Sequence, residues 1–290
     1  MKTLSMVLAV AALITAQLAS AAAPQAIVEA VQMPAWVERG GANIPLAPGM
    51  ELKSTDRLHT GAGARLLLKM GEGSLVKLGE GGTLRLDQLV DGKDKVFTAA
   101  LNVLRGAFRF TTSALQKQRR RNIDITIATV TAGIRGTDVW GKAAADRDIV
   151  CLIEGKIEVQ RGQDRPFLMD QPLSFYIAPK NAPPLPVAPV DPEQLRQWAT
   201  ETEIEAGKGA ARRGGRWKII AASADTQEDA LKLYDALRAA GYPAGIQPAM
   251  AGEKRVYNVR LEHLPSKADA EALAASIRGK MGVVEPKVTL

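Results

Sequence analysis

Aromatic residues make up only 4% of this 290-residue chain, histidine occurs twice and cysteine once. A single cysteine, Cys151, forms no internal disulfide. It sits within the apolar run Ile149-Val150-Cys151-Leu152-Ile153, which reads as a small core residue rather than a nucleophile. The two histidines, His59 and His263, are far apart and have no carboxylate cluster at ligand spacing, so a metal site has no support. Neither GxSxG nor a His-Asp-Ser set nor paired carboxylates stand out. The chain therefore reads as non-catalytic and without a cofactor; an enzyme acting on cell-wall glycan through two distant facing carboxylates stays open. Acidic residues are also in deficit, 31 against 38 Lys and Arg, for a net charge of +7.

One apolar run stands out, at the start. Lys2 precedes the apolar stretch Leu4 to Leu18, and Ala19-Ser20-Ala21 follows with small residues. The run is short for a bilayer span and has the layout of a secretory signal peptide over 1–23. No later segment is apolar enough for a membrane helix, so no stable transmembrane segment is expected after cleavage. No cysteine near the cleavage site would accept a lipid. An exported basic protein meets anionic envelope polymers, not nucleic acid. Lys117-Gln118-Arg119-Arg120-Arg121 is then a solvated loop or a contact for anionic lipid or polymer.

Residues 24–178 read as one all-β domain, a sandwich or β-roll. Glycine turns recur at short spacing: Gly61 and Gly63, Gly71 and Gly73, Gly79 to Gly82, Gly92, Gly106. Between them lie short strands such as Arg65 to Lys69, Leu75 to Leu78 and Leu84 to Leu86. Strands rather than helices follow these glycines, which favours hairpin turns over phosphate loops. The central stretch runs from Ile123 to Lys142. Ile123, Ile125 and Ile127 alternate with polar residues, a break is expected at Ala132-Gly133, and Ile134 to Trp140 resumes the strand. The string ATVTAGIRGTDVWG, with Asp56-Arg57-Leu58-His59-Thr60 and Ile153-Glu154-Gly155-Lys156-Ile157-Glu158-Val159, resembles the FecR-type domain of bacterial envelopes. The family usually has glycine before the first Asp, where this chain has Thr55.

Residues 179–215 read as a proline-rich linker with a short helix. Asp191 caps it, Pro192 takes its first position, and Leu195, Trp198 and Thr202 share a face, so that Trp198 packs the helix onto a neighbour. Gly207 to Gly215 is glycine-rich and reads as flexible.

Residues 216–290 carry an internal repeat at a constant offset of 40 residues. Trp217 matches Tyr257, and Ile219 matches Val259. Thr226 and Ser266 are the caps, with Asp229 and Asp269 three residues on. Ala230, Leu233 and Leu237 match Ala270, Leu273 and Ile277 as helix stripes. The order βαββαβ predicts an α+β domain of ferredoxin or RNP-like layout, with both helices on one face of a four-stranded antiparallel sheet. By alternation Lys218, Ile220, Ala222, Asn258 and Arg260 point away from the helices, with Gln247 beside them.

This region resembles the SPOR domain, which binds peptidoglycan, specifically glycan strands stripped of stem peptides. The family's first strand often reads W-x-V-Q-x-G-S-F; here Ser223 is retained, while Ile220, Ala222 and Ala224 replace the glutamine, glycine and phenylalanine. In the third strand Asn258 replaces an arginine, and Glu262-His263-Leu264 replace glycine, proline and phenylalanine. The resemblance makes Lys218, Ile220, Ser223, Gln247, Asn258 and Arg260 the candidate glycan-binding residues. The FecR-like module is then the part that engages another envelope protein or polymer, with a periplasmic location. FecR-type regulators that relay envelope signals to a sigma factor are the alternative; they need a cytoplasmic N-terminal segment and a membrane helix.

Overall fold

The computed structural model describes residues 24–92, 96–112, 120–134 and 136–290. The signal peptide expected over 1–23, Lys117 to Arg119 of the basic run, and Arg135 of the central motif lie outside the described residues. The first half of the chain is built of β1 (Ala26–Gln32), β2 (Ala35–Arg39), β3 (Ala42–Pro45), β4 (Arg57–Thr60), β5 (Arg65–Met70), β6 (Leu75–Leu78), β7 (Thr83–Asp91) and β8 (Val96–Thr111). There follow β9 (Arg120–Ile127), β10 (Val130–Ile134), β11 (Asp138–Ala143), β12 (Arg147–Glu154), β13 (Ile157–Arg161), β14 (Phe167–Met169), β15 (Ser174–Pro179) and β16 (Ala188–Pro189). Helix α1 (Pro192–Thr200) and β17 (Ala210–Arg212) lead to β18 (Trp217–Ala224), α2 (Gln227–Ala239), β19 (Gly245–Ala251), β20 (Lys254–Leu264), α3 (Lys267–Ile277) and β21 (Lys287–Thr289).

The long strand β8 organises the β region. Phe97, Ala99, Leu101 and Val103 are buried and alternate with half-buried Thr98, Ala100 and Asn102, the period of a strand with one face in the core. At Gly106 the backbone takes φ +89°, and a Cβ there would lie 2.7 Å from Gly82 Cα, so only glycine fits the bend. Before the bend β8 pairs with β7 and, in parallel, with β9; after it β8 pairs with β6 and β11. One strand thus belongs to two sheets. The first runs β17-β1-β5-β6-β8-β11-β12-β15-β16. The second runs β3-β2-β4-β7-β8-β9-β10-β13-β14. Their apolar faces meet in one core, with Leu66, Leu68, Val139 and Val150 from the first and Leu58, Leu84, Leu101 and Ile125 from the second. Each such side chain contributes about 2 kcal/mol by leaving water.

In the central motif the break falls later than the glycine pattern predicts. Gly133 stays within β10, paired with Asp124 and Glu158. The chain leaves the second sheet after Ile134, turns at Gly136 with φ +77°, and enters the first at Asp138. Upstream, β9 and β10 are joined by the two-residue turn Ala128-Thr129. The buried Asp148 carboxylate fixes this turn, accepting from Thr129 N (3.0 Å) and Oγ1 (2.6 Å).

The connector is held at both ends. Asp191 caps α1, accepting from the amides of Glu193 (2.9 Å) and Gln194 (3.2 Å). The helix lies across the outer face of the first sheet, where Leu195 and Trp198 pack on a second cluster of Ala107, Trp140, Ile149, Cys151 and Val190. Beyond the helix, Glu201 pairs with Lys142 at 2.7 Å, and Glu203 pairs with Lys77 and, at 3.4 Å, with Arg109. The run expected to be flexible, Gly207 to Gly215, instead includes β17, which pairs with β1 and buries Ala210 and Ala211. The glycines there serve close approach: Gly207 and Gly209 have φ +77° and +87°, and their amides donate to the buried Asp269 Oδ1 at 2.8 and 3.2 Å.

The C-terminal unit has the sheet order β19-β20-β18-β21, with each neighbouring pair antiparallel. Both caps form as the repeat predicts, with Thr226 accepting from Asp229 N and Ser266 from Asp269 N, each at 3.1 Å. Ala230, Leu237, Ala270, Leu273 and Ile277 of the helices bury against Ile219, Ala221, Val259 and Leu261 of the sheet. The unit meets the β region through the end of α2, where Gly241 O accepts from Ala35 N at 3.2 Å and Gly241 lies against Pro34 and Trp36.

Candidate functional site

The side of the C-terminal sheet turned away from its helices is organised by a bulge in β18. Ile220 stands opposite Arg260, but the next pair is Ala222 with Val259, and then Ser223 with Asn258. Two residues of β18 therefore span one step of β20. The bulge brings Ala222 opposite the buried Val259, while Ala221 is the residue in the core and Ala222 stays half-buried. The same extra residue puts Ser223, which strict alternation would turn inward, beside Asn258.

Two rows result. Gln247, Asn258 and Ser223 are in register across β19, β20 and β18, and the Ser223 hydroxyl donates to Asn258 Oδ1 at 2.6 Å. In the next row Gly245, Arg260, Ile220 and Lys287 cross all four strands. Arg260 Nη1 donates to Gln247 Oε1, and Arg260 Nε lies 3.2 Å from Glu262. Lys218 pairs with Thr289 of β21 at the far edge. Ser223 and Gln247 are exposed, while Lys218, Ile220, Asn258 and Arg260 are half-buried by their neighbours. All six expected residues thus share one sheet. The β region and the C-terminal unit meet through Gly241 and α2 and through β17, which lies against β20 and α3.

Sequence reasoning passed over three contributors. Lys287 lies in register with Ile220, Gly245 leaves open space beside Arg260, and Glu262 orients the guanidinium. The alternation of Lys287-Val288-Thr289 is the signal that would have placed the first. The face carries amide, hydroxyl and cationic groups, and Lys218 and Lys287 form no salt bridge among the described residues. It suits hydrogen bonding along a flat, hydroxyl-rich or anionic polymer.

Elsewhere the chemistry is plain. Cys151 is fully buried, and burial pushes its thiol up to about 12. His59 stacks on Trp36 at 5.8 Å. The Gly61–Gly63 turn leads into a strand, and Gly63 N donates to the chain's own Glu80 at 2.9 Å. Among the described residues no group of three or more His, Cys, Asp or Glu is placed to hold a metal, and no helix is long and apolar enough to cross a membrane.

A two-sheet β module joined to a βαββαβ unit with an open sheet face defines a modular binding protein. Comparison with protein families gives the two modules their names: the FecR protein family matches residues 56–158, and the SPOR domain matches residues 214–288. The chain is a FecR-domain protein with a C-terminal SPOR domain. The SPOR domain implies peptidoglycan binding and an envelope location, and both modules are of kinds that typically bind or regulate rather than catalyse. No curated protein matches the chain in sequence. Two crystal structures of an anti-sigma factor candidate from Parabacteroides distasonis, at 1.65 and 2.50 Å, share 12% and 15% identity with it. They cover 70% and 76% of this chain and 98% and 89% of their own, each with a TM-score of 0.40.

Proposed function

We propose that this is an exported, non-catalytic protein of the bacterial periplasm that binds peptidoglycan glycan strands through the open face of its SPOR domain. Its FecR module presents a surface to an envelope protein or polymer. The observation that carries the reading is the row Gln247, Asn258 and Ser223 beside Arg260, on the sheet face away from the helices. The family's third-strand arginine is Asn258 here, yet Arg260 lies one pair along on the same face and supplies a guanidinium there. Binding of this kind rests on many exposed hydrogen bonds, each of about 1 kcal/mol.

β17 lies in the first sheet, and Gly207 and Gly209 are held by Asp269, so the connector is tied to both modules. The test is co-sedimentation of the mature chain with purified sacculi, before and after an amidase removes the stem peptides. Binding that rises on denuded glycan is expected. Sedimentation no greater than that of an unrelated basic protein of equal charge would sink the reading.

A further inference from the structure

Between β15 and α1 the chain is built as a stiff rod. Of the eight residues from Ala182 to Pro189, four are proline: Pro183, Pro184, Pro186 and Pro189. Proline fixes its own φ at about −65° and holds the residue before it extended. These two effects restrict every position of the run except Val187. The backbone they favour is a polyproline II helix, with about three residues per turn. On that helix Pro183 and Pro186 stand one turn apart on one edge, which Pro189 continues, and all three are exposed. Arg161 Nη2 holds the start of the rod, donating to Pro179 O at 2.7 Å and to Ala182 O at 3.2 Å. Leu185 N donates to Ile177 O at 3.0 Å, and the buried Val190 closes the far end by donating to Leu173 O at 2.8 Å. The rod therefore runs along the outer edge of the first sheet, beyond β15.

Proline on a sheet edge commonly serves to block further pairing, and in a strand as short as β16 one would suffice. Edge protection does not account for the side chains set between the prolines. Leu185 and Val187 are 50% and 43% exposed, and aliphatic groups on an edge invite association. A partner strand cannot extend the sheet here, because the prolines offer no N–H. The rod instead presents proline rings with an aliphatic side chain between them. Among the described residues no donor reaches the carbonyls of Pro183, Pro184, Leu185 and Pro186. A groove lined by aromatic rings takes such a surface: the rings pack against the prolines, and indole or phenol donors reach the carbonyls. Because the backbone is set before contact, little ordering entropy opposes binding.

We propose that residues 183–187 are a docking segment for a partner protein whose groove is lined by aromatic side chains. Pro183 and Pro186 sit between the rings, and Leu185 packs on the wall beside them. The segment belongs to the edge of the β region, so the inference rests on the interaction role proposed for that region and not on glycan binding by the SPOR domain.

The test titrates the mature full chain into an isotopically labelled WW domain selective for Pro-Pro-Leu-Pro, the sequence of residues 183–186. The chain is expected to shift the amides around the aromatic groove of the probe. The double variant Pro183→Ala/Pro186→Ala should bind the probe about tenfold more weakly or worse. Leu185→Ser, which keeps every proline, should also weaken binding, by about threefold. Both variants should retain the far-ultraviolet circular dichroism of the parent chain. No shift with the full chain, or binding unchanged in the double variant, overturns the proposal. So does binding by a synthetic peptide of residues 179–191 where the full chain fails, since the sheet would then cover the segment. Sedimentation of the same samples with sacculi reports on the SPOR reading separately, so failure of one is told from failure of the other.

Discussion

Trp198 of α1 lies flat on Trp140 of β11, with ring centroids 4.7 Å apart and planes within 4°. Phe175 meets Trp198 edge-on at 5.6 Å. Trp140 is fully buried, and no residue of α1 is, so the helix attaches to the sheet chiefly through this one half-buried ring and Leu195. Trp198→Ala should lower stability by about 2 kcal/mol, combining lost burial with lost stacking. Urea unfolding measures the loss. The near-ultraviolet circular dichroism of the coupled indoles should vanish with it; a spectrum unchanged by the substitution would contradict the stack.

Thr55 has φ +76° at the place where FecR relatives usually carry glycine, and its amide donates to Leu86 O at 2.6 Å. A β-branched residue in the left-handed region is strained by about 1–2 kcal/mol. Thr55→Gly should therefore raise stability by about 1 kcal/mol, the remainder being offset by glycine's freedom in the unfolded chain. The urea midpoint should rise with an unchanged m-value. A lower midpoint would show that the threonine side chain makes a contact worth more than the strain.

These residues show where sequence reading succeeds and where it stops. Alternation along Ile123, Ile125 and Ile127 and the matched caps Thr226 and Ser266 depend on local periodicity, and both modules follow from them. Lys218, Ile220, Gln247, Asn258 and Arg260 could be named because a sheet has only two sides, and Ser223 only through the SPOR resemblance. The phase change at Ala221-Ala222 was hidden, because a bulge adds a residue without altering composition. The connector was misread for a different reason. Glycine between charged residues suggests freedom, but Gly207 and Gly209 are glycine so that their amides can reach Asp269, 60 residues or more away in sequence.

Asp269 is accordingly the residue on which connector and SPOR domain both depend. Its Oδ1 accepts from two connector amides, its Oδ2 takes the Ser266 hydroxyl at 2.6 Å, and its side chain is 3% exposed. Asp269→Ala strands these donors and should cost about 2–3 kcal/mol. It should also open the connector to proteolysis between Gly207 and Gly215, before either module is cut. Glu271→Ala, on the exposed side of the same helix, is the control and should change neither.

Cys151 gives the fold a signature in alkali. Burial pushes its folded thiol up to about 12, above the usual cysteine value, because a thiolate inside the second cluster would have no water. The unfolded chain therefore releases this proton first. The thiol's contribution is fully present below the unfolded value and is lost as pH rises from there through about 12. The slope of the loss is about 1.4 kcal/mol per pH unit in that window. Cys151→Ala should flatten this part of the stability curve. In the native protein a thiol reagent should fail to label Cys151 at neutral pH and should label it fully in urea.

Arg260 is the sharpest probe of the binding face. Its guanidinium donates to Gln247 and lies 3.2 Å from Glu262, so three side chains of two adjacent strands are oriented through it. It is partly exposed and supports no buried partner, which keeps the stability cost of removing it to about 0.5 kcal/mol or less. Arg260→Ala should weaken sedimentation with denuded sacculi about tenfold, the loss of one charge-assisted hydrogen-bonding group together with the order it imposes on Gln247. Arg260→Lys should recover only part, since a point charge cannot hold Gln247 and Glu262 in one plane. Lys287→Ala, in the same row, should have a smaller effect that fades with added salt, as expected of a cation acting at a distance. Full binding by the Arg260→Ala protein would move the glycan site off this face.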